Sequence, residues 1–436
     1  MSGQNPVDAS DRREFLKSSS AAVVGGSLAA SLGTARSVHA AGSDVIRVGL
    51  VGCGGRGSGA AGDALSAGKD IRLVAMADAF ADQLDHSRAV LQRQFGEQVA
   101  VTDDHCFVGL DAYQKVIASD VDVVLLATPP GFRPVHFRAA VEANKHVFTE
   151  KPMATDAPGV RSIMETVELS KQKNLNIVAG FCWRYDNAKR ALFEQVHNGA
   201  IGELMAAFGT YLTSPVKPMP PASKRPEGMS DLEWMVRNWY NFTWLSGDGL
   251  VEQAIHTVDW LAWAFRDQPP ESCTAVGGRQ IPSEGGNIYD HVEVNYVWPN
   301  QVRGFLAQRQ ISNCHNENNL YLLGTKGVAQ IQSRGVRISG ETDWKYEGPG
   351  NNMYRTEHVV FFDAIRSGKI VNDGDRMAKS TLMGIMGRMA AYTGKQLTWE
   401  MALASEETLV PPGFPQGWGT EVTMPKMALP GVTPFV

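Results

Sequence analysis

Three side chains that can carry protons or charge recur along one short stretch of the sequence. Glu252, His256 and Asp259 are spaced i, i+4 and i+7. The apolar pattern predicts a helix over 250–265, and this spacing places the three on one of its faces. An imidazole titrates near neutral pH, so His256 is predicted to accept a proton from a hydroxyl group as a general base. Glu252 is predicted to orient it or to contact a neighbouring hydroxyl. The alternative is a core histidine packed among its apolar neighbours.

A cationic candidate stands in the tripeptide Glu150-Lys151-Pro152. A proline restricts the residue before it to an extended backbone, or permits a cis bond, so Pro152 can aim the long side chain of Lys151 in a fixed direction. An ammonium group placed in this way lowers the pKa of a hydroxyl and stabilises the alkoxide that forms from it. The alternative is a surface lysine paired with Glu150.

A glycine pattern of the form GxGxxG spans residues 52–57. The string alone arises by chance in a chain this rich in glycine, but it follows an apolar strand pattern and precedes a helix pattern. Glycines at such a turn let the backbone approach a pyrophosphate, and the helix N-terminus supplies N–H groups and the positive end of its dipole. A coincidental glycine turn is the alternative. The residues predicted to bind the pyrophosphate are Gly52, Cys53, Gly54, Gly55, Arg56 and Gly57.

An acidic residue ends the second predicted strand. Asp78 lies 21 residues after Gly57. A carboxylate at this place accepts hydrogen bonds from both ribose hydroxyls of a dinucleotide and repels a 2′-phosphate. The sequence therefore predicts NAD rather than NADP as the cofactor.

Apolar runs alternate with helical patterns from Asp44 onward. Such alternation with short connections predicts an α/β fold in which a parallel, doubly wound Rossmann sheet carries helices on its faces. The predicted strands are 45–51, 71–77, 99–102, 121–127, 146–149 and 176–181, and the predicted helices include 79–94 and 133–143.

The pattern changes after about Asn187. Strand-like runs then follow one another directly, which predicts a C-terminal α+β domain with a large, mainly antiparallel open sheet. Its predicted strands are 205–211, 273–277, 291–297, 302–308, 319–323, 328–331 and 335–338, with helices over 250–265, 355–367 and 376–394. The predicted divisions are a signal and linker over 1–43, a NAD-binding domain over 44–155, a substrate-binding domain over 156–403 and a Pro/Gly-rich tail over 404–436.

The N-terminal residues resemble a twin-arginine export signal. Arg12-Arg13 precede an apolar run over 21–33 and a small-residue cleavage site over 38–40, although Asp11 stands where such signals carry Ser or Thr. The apolar run is too short for a bilayer core, which needs about 20 residues. The resemblance implies export of an already folded protein that carries its cofactor with it. The alternative is a disordered tail with two adjacent arginines.

Composition excludes several classes of function. The formal net charge is −5 and no Lys/Arg run follows the N-terminus, so nucleic acid is not a predicted partner. The five cysteines are widely spaced and contain no CxxC pair, and the ten histidines contain no HExxH or HxH. No metal site and no disulfide framework are predicted.

Four segments together resemble the Gfo/Idh/MocA family of oxidoreductases. They are "VIRVGLVGCGGRG", "DVVLLATPPGFRPVHFRAAVEANKHVFTEKPMATD", "GFCWRYDN" and "GDGLVEQAIHTVDWLAW". The resemblance runs from Asp44 to about Glu400. It implies a lysine between nicotinamide and substrate, here Lys151, and a homodimer or homotetramer. Glu252 stands where the family usually has Asp, which leaves its role open.

The resemblance also implies further site residues. Thr128, Pro129 and His136 match the loop beneath the nicotinamide ribose, and Glu150 precedes the lysine at the cofactor. Arg184 and Tyr185 match a segment that lines the substrate cleft, or alternatively Arg184 forms a surface ion pair with Asp186. Asp259 is assigned to the substrate as well, or alternatively braces its helix.

These observations predict an exported NAD-dependent oxidoreductase. Hydride would pass between a tightly bound nicotinamide cofactor and a hydroxyl of a sugar, a sugar derivative or a cyclic polyol. The export machinery would be its other partner, and the mature chain would not enter a membrane. One alternative is an NAD-dependent glycosidase or lyase that oxidises its substrate transiently and then eliminates a substituent. Another is a binding or regulatory protein that has lost turnover.

Overall fold

The first half of the chain forms a parallel sheet. The computed structural model describes residues 45–411 and 417–436. Six strands lie in the order β3-β2-β1-β4-β5-β6, and every neighbouring pair is parallel. The apolar runs are buried on both faces, as such a sheet requires. The strands are β1 (Ile46–Val51), β2 (Ile71–Asp78), β3 (Cys106–Val108), β4 (Val123–Leu126), β5 (His146–Thr149) and β6 (Ile177–Ala179).

Helices cover this sheet and connect its strands, as the alternating pattern predicted. Their apolar stripes face the sheet, which is how an amphipathic helix is stabilised in a doubly wound fold. The helices are α1 (Gly55–Ser66), α2 (Ala81–Phe95), α3 (Ala112–Ala118), α4 (Arg133–Glu142) and α5 (Ala157–Gln172). The next helix, α6 (Asn187–His197), follows β6 and packs against strands of the second sheet instead.

Two expectations about the first sheet are corrected. The strand predicted over 99–102 is absent: Val99 forms only an isolated bridge to Leu73, and the third strand is β3. The sheet also continues beyond residue 155, where the domain was predicted to end, because β6 pairs with β5 through Val147 and Ile177. The first sheet is therefore complete only at Ala179.

The second sheet has nine strands in the order β14-β13-β12-β11-β7-β10-β9-β8-β15. All neighbours are antiparallel except β7 and β10. The predicted fold class, a Rossmann domain followed by a mainly antiparallel sheet, is confirmed. The strands are β7 (Leu204–Thr213), β8 (Ser272–Gly278), β9 (His291–Val297), β10 (Arg303–Gln310), β11 (Leu320–Gly324), β12 (Gly327–Gln332), β13 (Gly335–Gly340), β14 (Trp344–Lys345) and β15 (Leu397–Thr398).

One hydrophobic core joins the two sheets. It contains Val124 of the first sheet and Val294 of the second, with helices packed between them. The long helix α12 can approach β9 closely because Gly387 has no side chain: a Cβ there would lie 2.8 Å from the hydroxyl oxygen of Tyr296. The remaining helices are α7 (Asp231–Arg237), α8 (Thr243–Ser246), α9 (Gly249–Glu252), α10 (Ile255–Ala264), α11 (Met353–Ser367), α12 (Gly374–Thr393) and α13 (Trp399–Ala404).

The structure describes most of the C-terminal tail but not the N-terminal segment. The predicted export signal over 1–43 lies outside the described residues. The described part of the C-terminal tail packs against the fold: the Tyr289 hydroxyl donates to the Ala428 carbonyl at 2.9 Å, and the Gly431 amide donates to the Thr393 carbonyl at 3.0 Å. Within the described ranges, no helix is both long enough and apolar enough to cross a bilayer.

Candidate active site

The glycine pattern forms the turn between β1 and α1. Gly52 has a φ of +96°, and a Cβ on Gly57 would lie 1.8 Å from the Gly52 carbonyl oxygen, so both positions exclude a side chain. A Cβ on Gly54 or Gly55 would meet no atom within 4 Å. This space lies at the N-terminus of α1, where N–H groups and the helix dipole favour an anion. The turn fits the pyrophosphate of a dinucleotide.

Asp78 is held rigidly at the end of β2. Its two carboxylate oxygens accept hydrogen bonds from the amides of Cys53, at 2.6 Å, and Phe80, at 2.9 Å. A carboxylate oxygen accepts more than one hydrogen bond, so capacity remains for ribose hydroxyls. Burial raises the pKa of Asp78, while the two amide hydrogen bonds lower it. The buried Cys53 contributes its amide to this arrangement, and its thiol donates to Ala77.

A groove runs from Asp78 to Lys151. Its adenosine end and its nicotinamide end share Gly54 and Thr128 in their walls. Of the predicted cofactor residues, the adenosine end is lined by Gly52, Gly54, Asp78, Thr128, Pro129 and His136. Pro129 and His136 were expected beneath the nicotinamide ribose, but they do not line the Lys151 end of the groove. The nicotinamide end is lined by Gly54, Gly55, Arg56, Gly57, Thr128, Glu150 and Lys151. A groove of this composition fits NAD along its whole length.

Lys151 forms a buried ion pair with Glu252 in a cleft of about 410 Å³ at the nicotinamide end. Its Nζ lies 2.6 Å from the Glu252 carbonyl oxygen and 2.9 Å from Glu252 Oε1, and the two side chains are only 10% and 8% exposed. The Lys151–Pro152 peptide bond is cis. Glu252, which is 101 residues away in the sequence, therefore fixes the Lys151 ammonium in the cleft.

His256 lines the same cleft as Lys151. Its ring lies 4.9 Å from that of Trp183, and its Nδ1 has no hydrogen-bond partner within the described part of the chain. Burial, and then the charge of Lys151, lower the pKa of His256 well below its usual value. The imidazole is therefore neutral at physiological pH, although the same environment makes it a weaker base than a free imidazole.

The predicted contact between Glu252 and His256 does not form. Glu252 binds Lys151 through Oε1 and accepts from Gln253 Nε2 at 2.8 Å through Oε2. The predicted continuous helix over 250–265 is broken: α9 ends at Glu252 and α10 begins at Ile255. Because the i, i+4 relation holds only along an unbroken helix, Glu252 positions the lysine instead of the histidine.

Arg184, Tyr185 and Asp259 lie away from the cleft, which corrects their assignment to the substrate. Arg184 donates to both oxygens of Asp259 at 2.8 Å and also pairs with Asp267, and these carboxylates raise its pKa. The Tyr185 hydroxyl donates to Asp373 Oδ2 at 2.9 Å. These buried contacts brace the segment after β6 against α10 and α12, which is the alternative already considered for Asp259.

Several cleft residues escaped prediction. Trp183, next to the predicted Arg184, lines the cleft, and the Tyr211 hydroxyl donates to Gln253 Oε1 at 2.7 Å. Arg133 is buried and donates to the carbonyls of Pro152 and Thr128, which ties the lysine segment to the ribose loop. In the sequence, Arg133 could have been noticed as a charged residue within a mostly apolar segment. Further unpredicted lining residues are Ala127, Gly180, Cys182, Val216, Lys217, Trp239, Tyr240, Gln253 and Tyr354.

Two acidic residues, Glu150 and Glu357, are buried near the glycine turn. Glu150 lies 2.9 Å from Arg56 Nε, and the Arg56 guanidinium lies 5.0 Å from the ring centre of Tyr354. Glu357 is fully buried, and neither of its oxygens has a hydrogen-bond partner within the described ranges. Burial, and then the charge of Glu150, raise the pKa of Glu357 well above its usual value. This environment therefore favours the protonated form of Glu357.

Buried histidines make the stability of the fold sensitive to acid. Burial is the main cause that lowers the pKa of both His136 and His358 to about 3, and it lowers that of His256 as well. The unfolded chain takes up these protons below a pH of about 6.5 while the folded chain does not. The contribution of these neutral histidines to the free energy of unfolding is therefore complete above a pH of about 6.5. It is lost as the pH falls from about 6.5 toward 3. Glu357 acts oppositely, since its raised pKa favours the folded state at low pH.

Replacing His358 with phenylalanine is expected to flatten this dependence. His358 stacks on Phe148 at 4.1 Å, and neither ring nitrogen has a partner in the described chain, so His358→Phe removes one titrating group and keeps a ring. The free energy of unfolding should fall less steeply below pH 6.5, by about 1.4 kcal/mol per pH unit. Urea unfolding at several pH values measures the slope. His315→Phe, at an exposed position, should keep the wild-type slope. Equal slopes for His358→Phe and wild type would contradict the prediction.

The described residues contain no group of three or more His, Cys, Asp or Glu side chains that could hold a metal ion.

Comparisons with known proteins support the assignment of the groove to a nicotinamide dinucleotide. A model described as "Oxidoreductase family, NAD-binding Rossmann fold" matches residues 46–181, and a "GFO/IDH/MocA C-terminal domain" model matches 190–330. An inositol 2-dehydrogenase of Rubrobacter xylanophilus is 27% identical over 295 residues, which are 66% of this chain and 72% of the relative. A glycosyl hydrolase family 109 protein of Shewanella amazonensis is 32% identical over 216 residues, 46% of each chain.

Solved structures share the fold. Levoglucosan dehydrogenase, in complex with NADH and levoglucosan, has a TM-score of 0.63 at 20% identity, covering 81% of this chain and 99% of that one. The WlbA dehydrogenase from Bordetella pertussis, in complex with NADH and UDP-GlcNAcA, has a TM-score of 0.63 at 20% identity, covering 81% and 97%. The two family models together span more than half of the chain, and the groove fits the cofactor that the first model names. The chain therefore belongs to the Gfo/Idh/MocA family of oxidoreductases, and its cofactor is NAD.

Proposed function

We propose that the protein oxidises or reduces a hydroxyl-bearing carbon of a sugar, a sugar derivative or a cyclic polyol with NAD. The observation that carries the proposal is the meeting of Lys151 and His256 in one cleft at the nicotinamide end of the groove. The similarity to inositol 2-dehydrogenases and to levoglucosan dehydrogenase supports this substrate class.

Each of the cleft residues has a separate role in the proposed reaction. Lys151 donates a hydrogen bond to the substrate hydroxyl and stabilises the alkoxide, while Glu252 holds its Nζ in place. His256 is neutral and accepts the proton. NAD, when bound, accepts the hydride from the same carbon. Trp183, Tyr211 and the other cleft walls exclude water from the reacting atoms.

We further propose that the protein is exported with its cofactor already bound. The twin-arginine pattern around Arg12-Arg13 supports this, because that route is used by folded proteins. A retained cofactor has to be recycled in place, so a second sugar or ketone would restore it. A homodimer or homotetramer is proposed from the family resemblance.

A glycosidase or lyase is the second candidate. The match to glycosyl hydrolase family 109 proteins from two genera favours it. In such a cycle a ring hydroxyl is oxidised to a ketone, the acidified neighbouring C–H loses its proton, and the substituent leaves. Water adds in the glycosidase, and the hydride then returns to the ketone, so no reduced cofactor accumulates.

Nucleotide and product analysis tests the proposal. Denatured, unsupplemented protein should release about one NAD or NADH per chain, since the cofactor is expected to stay bound. The native protein is then supplied with myo-inositol, levoglucosan or 4-nitrophenyl glycosides while absorbance at 340 nm and nitrophenol are followed. A ketone product with reduced cofactor supports the dehydrogenase, and nitrophenol without reduced cofactor supports the glycosidase. An empty groove with fast exchange of added NAD would contradict cofactor retention.

A further inference from the structure

A small hydrophobic core, separate from the main one, lies beside the adenosine end of the groove. Most of its buried residues come from a single segment, 232–245. Phe80 and Leu110, which follow β2 and β3, pack against it, and so does Trp418 from the described part of the tail. The buried members are Phe132, Leu232, Trp234, Met235, Val236, Phe242, Trp244 and Leu245.

Phe80 is held by two flat groups from distant parts of the chain. The guanidinium carbon of Arg237, the last residue of α7, lies 3.9 Å from the Phe80 ring centre. The Trp418 ring stacks on Phe80 at 4.9 Å with an interplanar angle of 16°. Arg237 and Trp418 therefore both contact the Phe80 ring.

This cluster forms a wall of the cofactor groove. Phe80 and Arg237 line the adenosine end together with Val236 and Trp239. Phe80 also donates its amide to Asp78, the residue predicted to hold the ribose. Arg237 is itself fixed by Glu233, with Nε 3.0 Å from Oε1. A nucleotide in the groove is therefore enclosed on this side by α7 and not by the Rossmann domain alone.

We propose that α7 and the tail segment around Trp418 clamp the adenosine end of the bound dinucleotide by fixing Phe80 through its contacts with Arg237 and Trp418. For the adenosine to leave, α7 must separate from Phe80, which breaks the cation–π contact and exposes part of the small core. The clamp slows the release of NAD. This inference goes beyond the proposed reaction, because it holds for any substrate of the cleft.

The release rate of NADH tests the clamp directly. Protein equilibrated with NADH is mixed with excess NAD, and the decay of nicotinamide fluorescence gives the dissociation rate constant. Trp418→Ala and Arg237→Ala are each expected to release NADH faster by roughly two- to tenfold, in line with the strength of aromatic and cation–π contacts. Trp418→Phe keeps a stacking ring and should release NADH at nearly the wild-type rate.

Trp344→Ala is the matched control, because Trp344 lies in β14, at the edge of the second sheet. Its release rate should equal that of wild type. Unchanged rates in both Trp418→Ala and Arg237→Ala would overturn the clamp, and so would equal acceleration by Trp344→Ala. The readout is nucleotide release alone, so a failure here is distinct from a failure to turn over any sugar or polyol.

Discussion

Replacing Lys151 with methionine is expected to lower kcat/KM by about a thousandfold, the upper range for loss of one group that stabilises an oxyanion. The Lys151 ammonium is held in the cleft by Glu252 at 2.6 and 2.9 Å, and methionine keeps the length of the side chain without its charge. Steady-state kinetics with the substrate identified by the product assay measures the loss. Lys171→Met, at a surface ion pair, should retain wild-type activity.

A double variant separates catalysis from stability. Lys151→Met leaves the Glu252 carboxylate buried without its partner, which costs about 3–5 kcal/mol of unfolding free energy. Lys151→Met with Glu252→Gln removes both charges, so stability should return largely toward wild type. Activity should stay lost, because the ammonium is still missing. Recovery of activity in the double variant would show that Lys151 acts only by neutralising Glu252.

Replacing His256 with alanine is expected to lower kcat by roughly 10²- to 10⁴-fold, the range for loss of a general base. NADH affinity should change little, because His256 lines the substrate side of the cleft and not the adenosine end. Added imidazole should restore part of the rate, since the substitution leaves a space beside Trp183 for the missing ring. His291→Ala, at a partly exposed position that does not line the cleft, is the control.

Two results with the His256→Ala variant would contradict the role of His256 as the base. A His256→Ala protein with kcat within threefold of wild type would remove the proposed base. Loss of activity without any rescue by imidazole, together with a lowered melting temperature, would assign His256 to the fold.

The elements of the cofactor groove could be predicted from the sequence because each depends on local chemistry. The turn at Gly52 and Gly57 needs glycine for steric reasons, and Asp78 ends its strand at a fixed interval from that turn. Lys151 was identified by the resemblance of Glu150-Lys151-Pro152 to the family motif, and the proline supplied a physical reason for its fixed direction. The glycine and aspartate positions depend on neighbours in the sequence, so the pattern together with its strand and helix context locates them.

The partners of charged side chains could not be predicted in the same way. Glu252 was assigned to His256 by helical spacing, but a break between α9 and α10 gives it to Lys151. Arg184 was assigned to substrate, yet Asp259 and Asp267 neutralise it inside the fold. Such pairs join segments 75 or more residues apart, and spacing along the chain carries no information about them.

The most direct measurement is a crystal structure of the protein purified with its own nucleotide and supplied with a substrate found by the product assay. We predict the nicotinamide ring at the Lys151 end of the groove, with the reacting hydroxyl within about 3–3.5 Å of Lys151 Nζ and hydrogen-bonded to His256. A nicotinamide ring outside this cleft, or a substrate hydroxyl that contacts neither side chain, would contradict the proposed catalyst.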